Sequence, residues 1–107
     1  MTHLPDTIFR ALGDPTRRSL FEQLCANGEL TVRALTDGAG ISQPAVSKHL
    51  RVLKEAGLVT DRPAGRETHY SADLKGLAPL VGWIGRYAAF WEERIDALED
   101  LLKRMDQ

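Results

Sequence analysis

A short polar surface near the middle of the chain has the chemistry needed to bind DNA. On a helix, amide, hydroxyl and cationic groups would project together from Gln43, Ser47, Lys48 and Arg51. Such groups can hydrogen-bond to base edges in the major groove and to the phosphates that flank it. An ordinary amphipathic surface helix has the same pattern, so this helix alone does not decide between DNA binding and a solvated surface.

Residues 41–57 are predicted to form the helix that carries these groups. Ser42 can cap its first turn, and Pro44 falls where a missing N–H costs least. Gly57 can adopt the left-handed conformation that ends a helix. Apolar side chains at helical spacing on the other side are Val46, Leu50 and Leu53. The segment therefore predicts a helix with one buried and one polar side.

A second short helix is predicted directly before this one. Thr31 can cap it, and it runs from Val32 to about Ala39. Gly38 and Gly40 would then supply a tight turn between the two helices. Two short helices joined this closely, the second polar on its outer side, form the helix-turn-helix pattern.

Two more helices are predicted near the start of the chain, after a frayed segment over residues 1–5. The first covers residues 6–12, and the second begins behind an Asp14 cap and stops at about Asn27. The inward face of the second helix would carry Leu20, Phe21, Leu24 and Cys25. We expect Cys25 to be a small core residue rather than a reactive thiol.

After Gly57 the pattern changes to that of strands. Residues 58–62 and 67–71 are both strand-like, and the four residues 63–66 between them are predicted to turn. A β-hairpin directly behind a helix-turn-helix makes a winged helix. Arg66 near the tip of this wing could reach a minor groove or a phosphate, although an exposed hairpin arginine is also often merely solvated.

The C-terminal segment, residues 76–107, is predicted to form one long helix. Its apolar residues follow alternating steps of four and three, at Leu77, Val81, Ile84, Ala88, Trp91, Ile95, Leu98, Leu102 and Met105. The rest of so small a chain cannot cover this seam, so we expect it to pair with its twin in a second subunit. The expected dimer interface comprises Ile8, Phe9, Ile84, Ala88, Trp91, Ile95, Leu98 and Leu102. Packing of the helix on its own domain is the alternative for the early seam residues.

The composition of the 107 residues, 43% hydrophobic and 27% charged, is typical of one soluble domain spanning residues 1–107. The formal net charge is −1, but residues 42–70 carry five basic against three acidic side chains, and residues 76–107 carry four against six. This polarity fits a middle that faces DNA. The chain has no apolar run long enough for a membrane span and no signal peptide, so we expect a cytoplasmic location. One cysteine excludes an intrachain disulfide.

Taken in order, these segments resemble the ArsR type of winged-helix transcriptional regulator. The resemblance runs through most of the chain, over residues 9–18, 42–50 and 53–59, and at Gly65, Arg66 and Tyr70. It implies a mainly α fold with a small β-hairpin, in which a winged helix-turn-helix domain ends in a long dimerisation helix. It also implies a homodimer that binds a roughly palindromic operator, usually represses, and releases the DNA when a signal arrives.

The resemblance breaks down at the metal sites of the family. Thr31 and Arg33 stand where the thiolate sensor motif has its two cysteines, and neither binds a soft metal. The other common site uses Asp and His pairs on the C-terminal helix, where no histidine follows His69. The remaining histidines, His3 and His49, are scattered. No metal and no cofactor is therefore expected, and the inducing signal is not identified.

The DNA-binding hypothesis assigns a role to each polar group. Base readout is expected from Gln43, Ser47 and Lys48, and an apolar contact to a thymine methyl from Ala45. Contacts to phosphates or to the minor groove are expected from Thr31, Ser42, Arg51, Lys54 and Arg66. His49 is expected either against the DNA or against the helix-turn-helix core.

Three other interpretations stand beside this hypothesis. A winged helix used only for protein–protein assembly would also explain the C-terminal seam, and the modest basic excess keeps it open. An unrecognised metal or small-molecule sensor site would add to DNA binding rather than replace it. Enzymatic activity is the least favoured class, because the sequence offers no nucleophile–base arrangement, no phosphate-binding glycine loop and no metal-ligand spacing.

Overall fold

The computed structural model describes residues 4–106, with side chains placed from residue 5 onward. Its elements are α1 (Leu4–Gly13), α2 (Pro15–Asn27), β1 (Leu30–Thr31), α3 (Val32–Asp37), α4 (Gln43–Glu55), β2 (Val59–Ala64), β3 (Glu67–Ala72), a 3-10 turn (Leu74–Leu77) and α5 (Ala78–Met105). This order confirms the winged helix-turn-helix fold with a long C-terminal helix. His3 and most of the segment expected to be frayed lie outside the described residues, but α1 already includes Leu4 and Pro5.

Three side-chain caps define where α2, α3 and α4 begin. The Asp14 carboxylate accepts from the backbone N–H of Arg17 at 2.8 Å, and the Thr31 hydroxyl accepts from that of Ala34 at 3.1 Å. The Ser42 hydroxyl accepts from the N–H of Ala45 at 3.3 Å, so α4 begins where the sequence predicts.

The core lies between the four N-terminal helices and the start of β2. Its fully buried side chains include Ile8, Leu20, Leu24, Leu35, Val46, Leu50, Leu53 and Leu58. The three apolar residues predicted for the inner side of α4 are all among them. Ile8, which the sequence assigns to the dimer interface, is only 1% exposed and is therefore a core residue of its own chain. Its neighbour Phe9 points the other way and is 42% exposed.

Cys25 is exposed, which corrects the expectation that it lies in the core. It directly follows Leu24, and one residue corresponds to about 100° of rotation around a helix. That rotation takes Cys25 off the middle of the buried side of α2, which Leu20, Phe21 and Leu24 occupy.

The wing is a hairpin with a shorter turn than the sequence predicts. Ala64 pairs with Glu67, so only Gly65 and Arg66 form the loop, and Gly65 has a φ of 64°. Glycine at the first loop position suits the tight two-residue hairpins whose twist matches the strands. Pro63 lies within β2, where it is tolerated because the strand order β1-β3-β2 leaves β2 at an edge of the sheet.

A third strand, which the sequence does not reveal, ties the wing to the helices. In β1, Leu30 pairs with Tyr70 and Thr31 pairs with His69. Thr31 belongs to β1, which pairs with the wing, and it also caps α3. The sheet and the helix-turn-helix are therefore joined at this residue.

The long helix α5 extends away from the other helices and the sheet. It has 28 residues, all of them within the described part of the chain, and none of them is buried. Its length is about 42 Å at the usual rise per residue. The seam predicted along it is thus open to a partner.

Candidate nucleic-acid interface

An open groove lies between α4 and the wing, beside the polar side of that helix. Its volume is about 690 Å³, and it is lined by Thr31, Val32, Arg33, Gln43, Ser47, Arg66, Glu67, Thr68 and Tyr70. The lining comes from β1, from the start of α3, from the first two turns of α4, and from the hairpin loop and β3. The fold therefore brings segments that are distant in the sequence to one polar surface.

Four residues predicted to contact DNA meet in this groove: Thr31, Gln43, Ser47 and Arg66. Gln43 and Ser47 are one turn apart on α4, so their amide and hydroxyl groups face the same way. Arg66, at the exposed tip of the wing, faces them from the other wall. Lys48 and Arg51 are exposed on α4 but do not line the groove. These positions give a row of donors along α4 with cationic groups beside it.

Arg33 is a functional candidate that the sequence-based assignment missed. It is exposed on α3 and lines the same groove as Ser47 and Arg66. The signal was present in the sequence, because Arg33 stands two residues after the Thr31 cap, on the first turn of α3. This helix directly precedes α4, the recognition helix of the helix-turn-helix pair. Two arginines against the single carboxylate of Glu67 make the groove attractive to phosphate.

The side chains of Ser42 and Thr31 already take part in helix capping. Each hydroxyl accepts a hydrogen bond from the first turn of the helix that follows, as described above. Each hydroxyl still has a proton to donate, so a contact to a phosphate oxygen remains open to both. Ala45 is half-buried on α4, which leaves part of its methyl group at the surface.

Lys54 has a partner within the chain. Its ammonium group lies 3.0 Å from a carboxylate oxygen of Asp61 on β2, and both side chains are partly solvated. The pair connects the last turn of α4 to the first half of the wing. A phosphate contact by Lys54 would therefore compete with Asp61.

His49 faces away from the groove. It follows Ser47 by two residues, which is about 200° around the helix. Its ring Nδ1 lies 3.3 Å from Nη1 of Arg17, at the start of α2. Of the two positions left open by the sequence, the structure places His49 on the side of the N-terminal helices.

An ionic cluster fixes the orientation of the wing. Arg62 on β2 donates to both carboxylate oxygens of Glu29, at 2.6 Å and 3.2 Å, and the ring Nδ1 of His69 on β3 lies 3.4 Å from the same group. The hydrogen bond from Arg62 is the main reason why the pKa of Glu29 is lowered, and it raises the pKa of Arg62 in turn. Bidentate pairing of this kind fixes geometry as well as charge.

The apolar seam of α5 is exposed along its length. Ile84, Trp91, Ile95, Leu98 and Leu102 are each more than half exposed, and Trp91 reaches 59%. Ala88, the smallest member of the seam, is half-buried. Large contiguous apolar surfaces commonly mark interaction sites, so this seam is a candidate interface.

A second aromatic surface on α5, which the heptad pattern does not include, connects this helix to α1. The ring of Phe9 packs edge-on against Trp83 with centroids 5.2 Å apart, and Trp83 contacts Tyr87 at 5.1 Å. Further along α5, the guanidinium of Arg94 lies 4.5 Å above the ring of Phe90. The Phe9–Trp83 contact holds the base of α5 against α1.

Residues 4–106 contain neither a cluster of metal-binding side chains nor a membrane-spanning helix. No group of three or more His, Cys, Asp or Glu side chains there is arranged to hold a metal ion. No helix in this part of the chain combines the length and the apolar character needed to cross a membrane.

Comparison with known proteins gives consistent relatives. Residues 12–62 match a family model described as a helix-turn-helix domain. The HTH-type transcriptional regulator Rv2034 of Mycobacterium tuberculosis is 44% identical over 98 residues, which cover 92% of this chain and 88% of that protein. The transcriptional repressor SdpR of Bacillus subtilis is 32% identical over 79 residues, covering 74% of this chain and 87% of the repressor.

Solved structures show the same fold. A crystal structure of an ArsR family transcriptional regulator superposes with a TM-score of 0.75 at 27% identity, covering 83% of this chain and 91% of the other. A solution structure from Mycobacterium bovis, described as a homodimeric winged helix-turn-helix DNA-binding domain of a possible ArsR-family regulator, gives a TM-score of 0.64 at 27% identity. That match covers 80% of this chain and 79% of the other.

Proposed function

Because the chain belongs to the ArsR family of winged helix-turn-helix transcriptional regulators, we propose that two copies form a homodimer that binds a palindromic operator and represses transcription. The helix α4 would lie in the major groove, and the wing would reach the neighbouring backbone or minor groove. The observation that carries this proposal is the groove in which Gln43 and Ser47 on α4 face Arg66 on the wing.

Each side chain of this surface suits one kind of contact. Gln43, Ser47 and Lys48 can hydrogen-bond to base edges, and the methyl group of Ala45 suits the methyl group of thymine. Phosphate contacts suit the arginines on the two sides of these residues, Arg33, Arg51 and Arg66, with further polar contacts from Thr31 and Ser42. Lys54 has a smaller part in this scheme because it pairs with Asp61, and His49 has none because it lies against Arg17.

The exposed seam of α5 supports the homodimer. A helix with an uncovered apolar stripe of this length gains most by packing against another stripe of the same shape, and a second copy supplies one. The Mycobacterium bovis neighbour is described as homodimeric. Two copies related by a twofold axis would present two α4 helices to successive major grooves, roughly 34 Å apart.

Repression, rather than activation, is proposed because SdpR is named a transcriptional repressor. The use of the winged helix for protein assembly alone is not favoured, because Rv2034 and SdpR are both named as regulators of transcription.

Selection of bound sequences from random double-stranded DNA, at a stated salt concentration, tests the proposal. We expect an inverted repeat whose half-sites are separated by about one helical turn or a multiple of it. The control is the protein with Gln43→Ala and Ser47→Ala together, which should lose sequence preference at the positions read by α4. Enrichment of a single half-site would contradict the homodimeric operator. No enrichment at all would contradict DNA binding and favour the assembly module.

A further inference from the structure

Arg17, on α2, lies where this helix meets α1 and α4. Its Nε donates to the carbonyl oxygen of Ala11 at 2.6 Å, and its Nη2 donates to that of Arg10 at 3.1 Å. Both carbonyls belong to the end of α1, where a helix has acceptors without partners of its own. The remaining terminal nitrogen, Nη1, lies 3.3 Å from His49 on α4. One guanidinium group thus connects the end of α1 with the recognition helix.

The backbone of Arg17 is also fixed. Its N–H donates to the capping carboxylate of Asp14, and this hydrogen bond is the main reason why the pKa of Asp14 is lowered. The side chain of Arg17 therefore extends from a backbone position that is fixed at the start of α2. A planar guanidinium with several donors in a rigid fork can serve two carbonyls and a ring nitrogen together, whereas the ammonium of lysine is a point charge on a flexible stem.

These contacts supply orientation that the core does not. The helices α1 and α4 both pack on the core through apolar side chains, such as Ile8 and Leu50. Apolar burial is not directional in itself, and close packing of the core restricts helix rotation only through the shapes of the side chains. Hydrogen bonds to a carbonyl and to a ring nitrogen are directional. The contact between Arg17 and His49 therefore fixes how α4 is turned relative to α1.

The other side of α1 continues this connection to the long helix. Phe9 on α1 packs against Trp83 on α5, with centroids 5.2 Å apart. The sequence of contacts runs from α5 through Phe9 to the end of α1, then through Arg17 to His49 on α4. In a dimer formed through α5, this route adds to the contact between Gly57 and Gly76 in setting the direction in which each recognition helix points.

We infer that Arg17 is a positioning residue, which sets the mutual orientation of the two recognition helices through His49 and thereby the operator spacing that the dimer accepts. The inference rests on the proposed function, because it presupposes a dimer that reads two half-sites. It assigns no DNA contact to Arg17. The expected consequence of losing the contact is poorer discrimination between operator spacings, with each single half-site still recognised.

Arg17→Lys tests this inference, and Arg18→Lys is its matched control. Arg18 donates to the carbonyl oxygen of Leu12 at 2.7 Å, so both substitutions weaken a cap on the end of α1, while Arg17→Lys also disturbs the contact to α4. The measurements are affinity for the selected operator, for the same operator with one base pair added at its centre, and for an isolated half-site. We expect Arg17→Lys to lower the preference for the native spacing by at least about fivefold, the lower end of typical coupling between sites. Half-site affinity should remain, and Arg18→Lys should behave as the wild type.

His49→Leu approaches the same contact from α4, and it keeps the inference testable if Arg17→Lys does not fold. It removes the ring nitrogen without touching the end of α1, and should reproduce the loss of spacing preference with half-site affinity retained. Equal spacing preference in the wild type and in His49→Leu would overturn the inference, as would identical behaviour of the Arg17 and Arg18 variants. Loss of half-site affinity in His49→Leu, with spacing preference intact, would overturn it as well. Absence of DNA binding by the wild type would instead overturn the proposed function.

Discussion

Gly76, in the turn before α5, lies directly against the backbone carbonyl of Gly57, which follows the recognition helix. A Cβ atom on Gly76 would overlap the oxygen and the carbon of that carbonyl, and the obstacle is backbone that cannot rotate away. Gly57 itself has a φ of 78°, and the N–H of the next residue, Leu58, bonds to Leu53 at 2.9 Å. The end of α4 and the start of α5 are thus in contact at two glycines, each required for its own reason.

Gly76→Ala should destabilise the protein. The added methyl group forces the turn away from the end of α4, and overpacking of this kind typically costs about 1–3 kcal/mol. Gly82→Ala is the control, because a Cβ there meets nothing within 4 Å and glycine inside a helix is unfavourable. It should raise the free energy of unfolding by up to about 1 kcal/mol. Urea unfolding of both variants measures this, and an unchanged midpoint for Gly76→Ala would contradict the contact.

The Glu29–Arg62 pair predicts a defined pH dependence. The pKa of Glu29 is lower in the folded protein than in the unfolded chain, so its contribution to stability is present above the unfolded pKa. That contribution is lost as the pH falls through the folded pKa. We therefore expect Glu29→Gln to destabilise the protein at pH 7, and the difference from the wild type to shrink as the pH falls below the usual range of a glutamate, about 4.

Chemical unfolding at pH 7 and at pH 3 measures that difference. Arg62→Ala and the double variant complete a cycle, in which the two single substitutions should not be additive because each removes the same pair. A Glu29→Gln effect of equal size at both pH values would contradict the role of the ionised carboxylate.

Local signals explain why the recognition helix was predictable. Ser42 supplies a cap, Val46, Leu50 and Leu53 supply the apolar period, and Gly57 supplies the left-handed end, all within one short segment. Each signal depends on neighbouring residues only, so the sequence contains it completely. The exposed seam of α5 was predictable for the same reason.

Contacts between distant segments account for what the sequence did not reveal. The strand β1 is only two residues long, and it forms because Leu30 pairs with Tyr70, which is forty positions away in the sequence. A helical period shows that Ile8 and Phe9 differ in direction, but it does not show which of the two faces the core. Tertiary packing likewise produces the contact between Arg17 and His49. It also places Arg33 in the same groove as Arg66.

Arg66→Ala and Arg33→Ala should each weaken DNA binding through the loss of a phosphate contact. Affinity should fall for all sequences, and the slope of log affinity against log salt should become less steep by about one unit per arginine. The control is Arg104→Ala, which removes a cation from the far end of α5. Fluorescence anisotropy over a series of salt concentrations measures the slopes. An unchanged slope for Arg66→Ala would exclude a phosphate contact from the wing.

Gln43→Ala should act differently, because an amide suits a base edge rather than a phosphate. Loss of one such contact costs about 1–3 kcal/mol against the preferred base and relaxes specificity at that position. The salt slope should stay as in the wild type. Competition with operators substituted at single positions measures the effect, and a uniform loss of affinity over all sequences would assign Gln43 to the backbone instead.

Trp91→Glu should convert the dimer into monomers. Trp91 is 59% exposed in the single chain and stands at the middle of the apolar seam, so a carboxylate there would have to be buried against a second apolar helix without a partner. Ala89→Glu is the matched control. It adds the same charge to the same helix two residues earlier, about 200° around it and away from the seam. Light scattering over a range of protein concentrations should give monomers for Trp91→Glu and dimers for Ala89→Glu. Operator affinity should fall in parallel for Trp91→Glu only, because one recognition helix alone contacts a single half-site. A Trp91→Glu variant that stays dimeric would place the interface elsewhere, with the aromatic surface around Trp83 as the next segment to substitute.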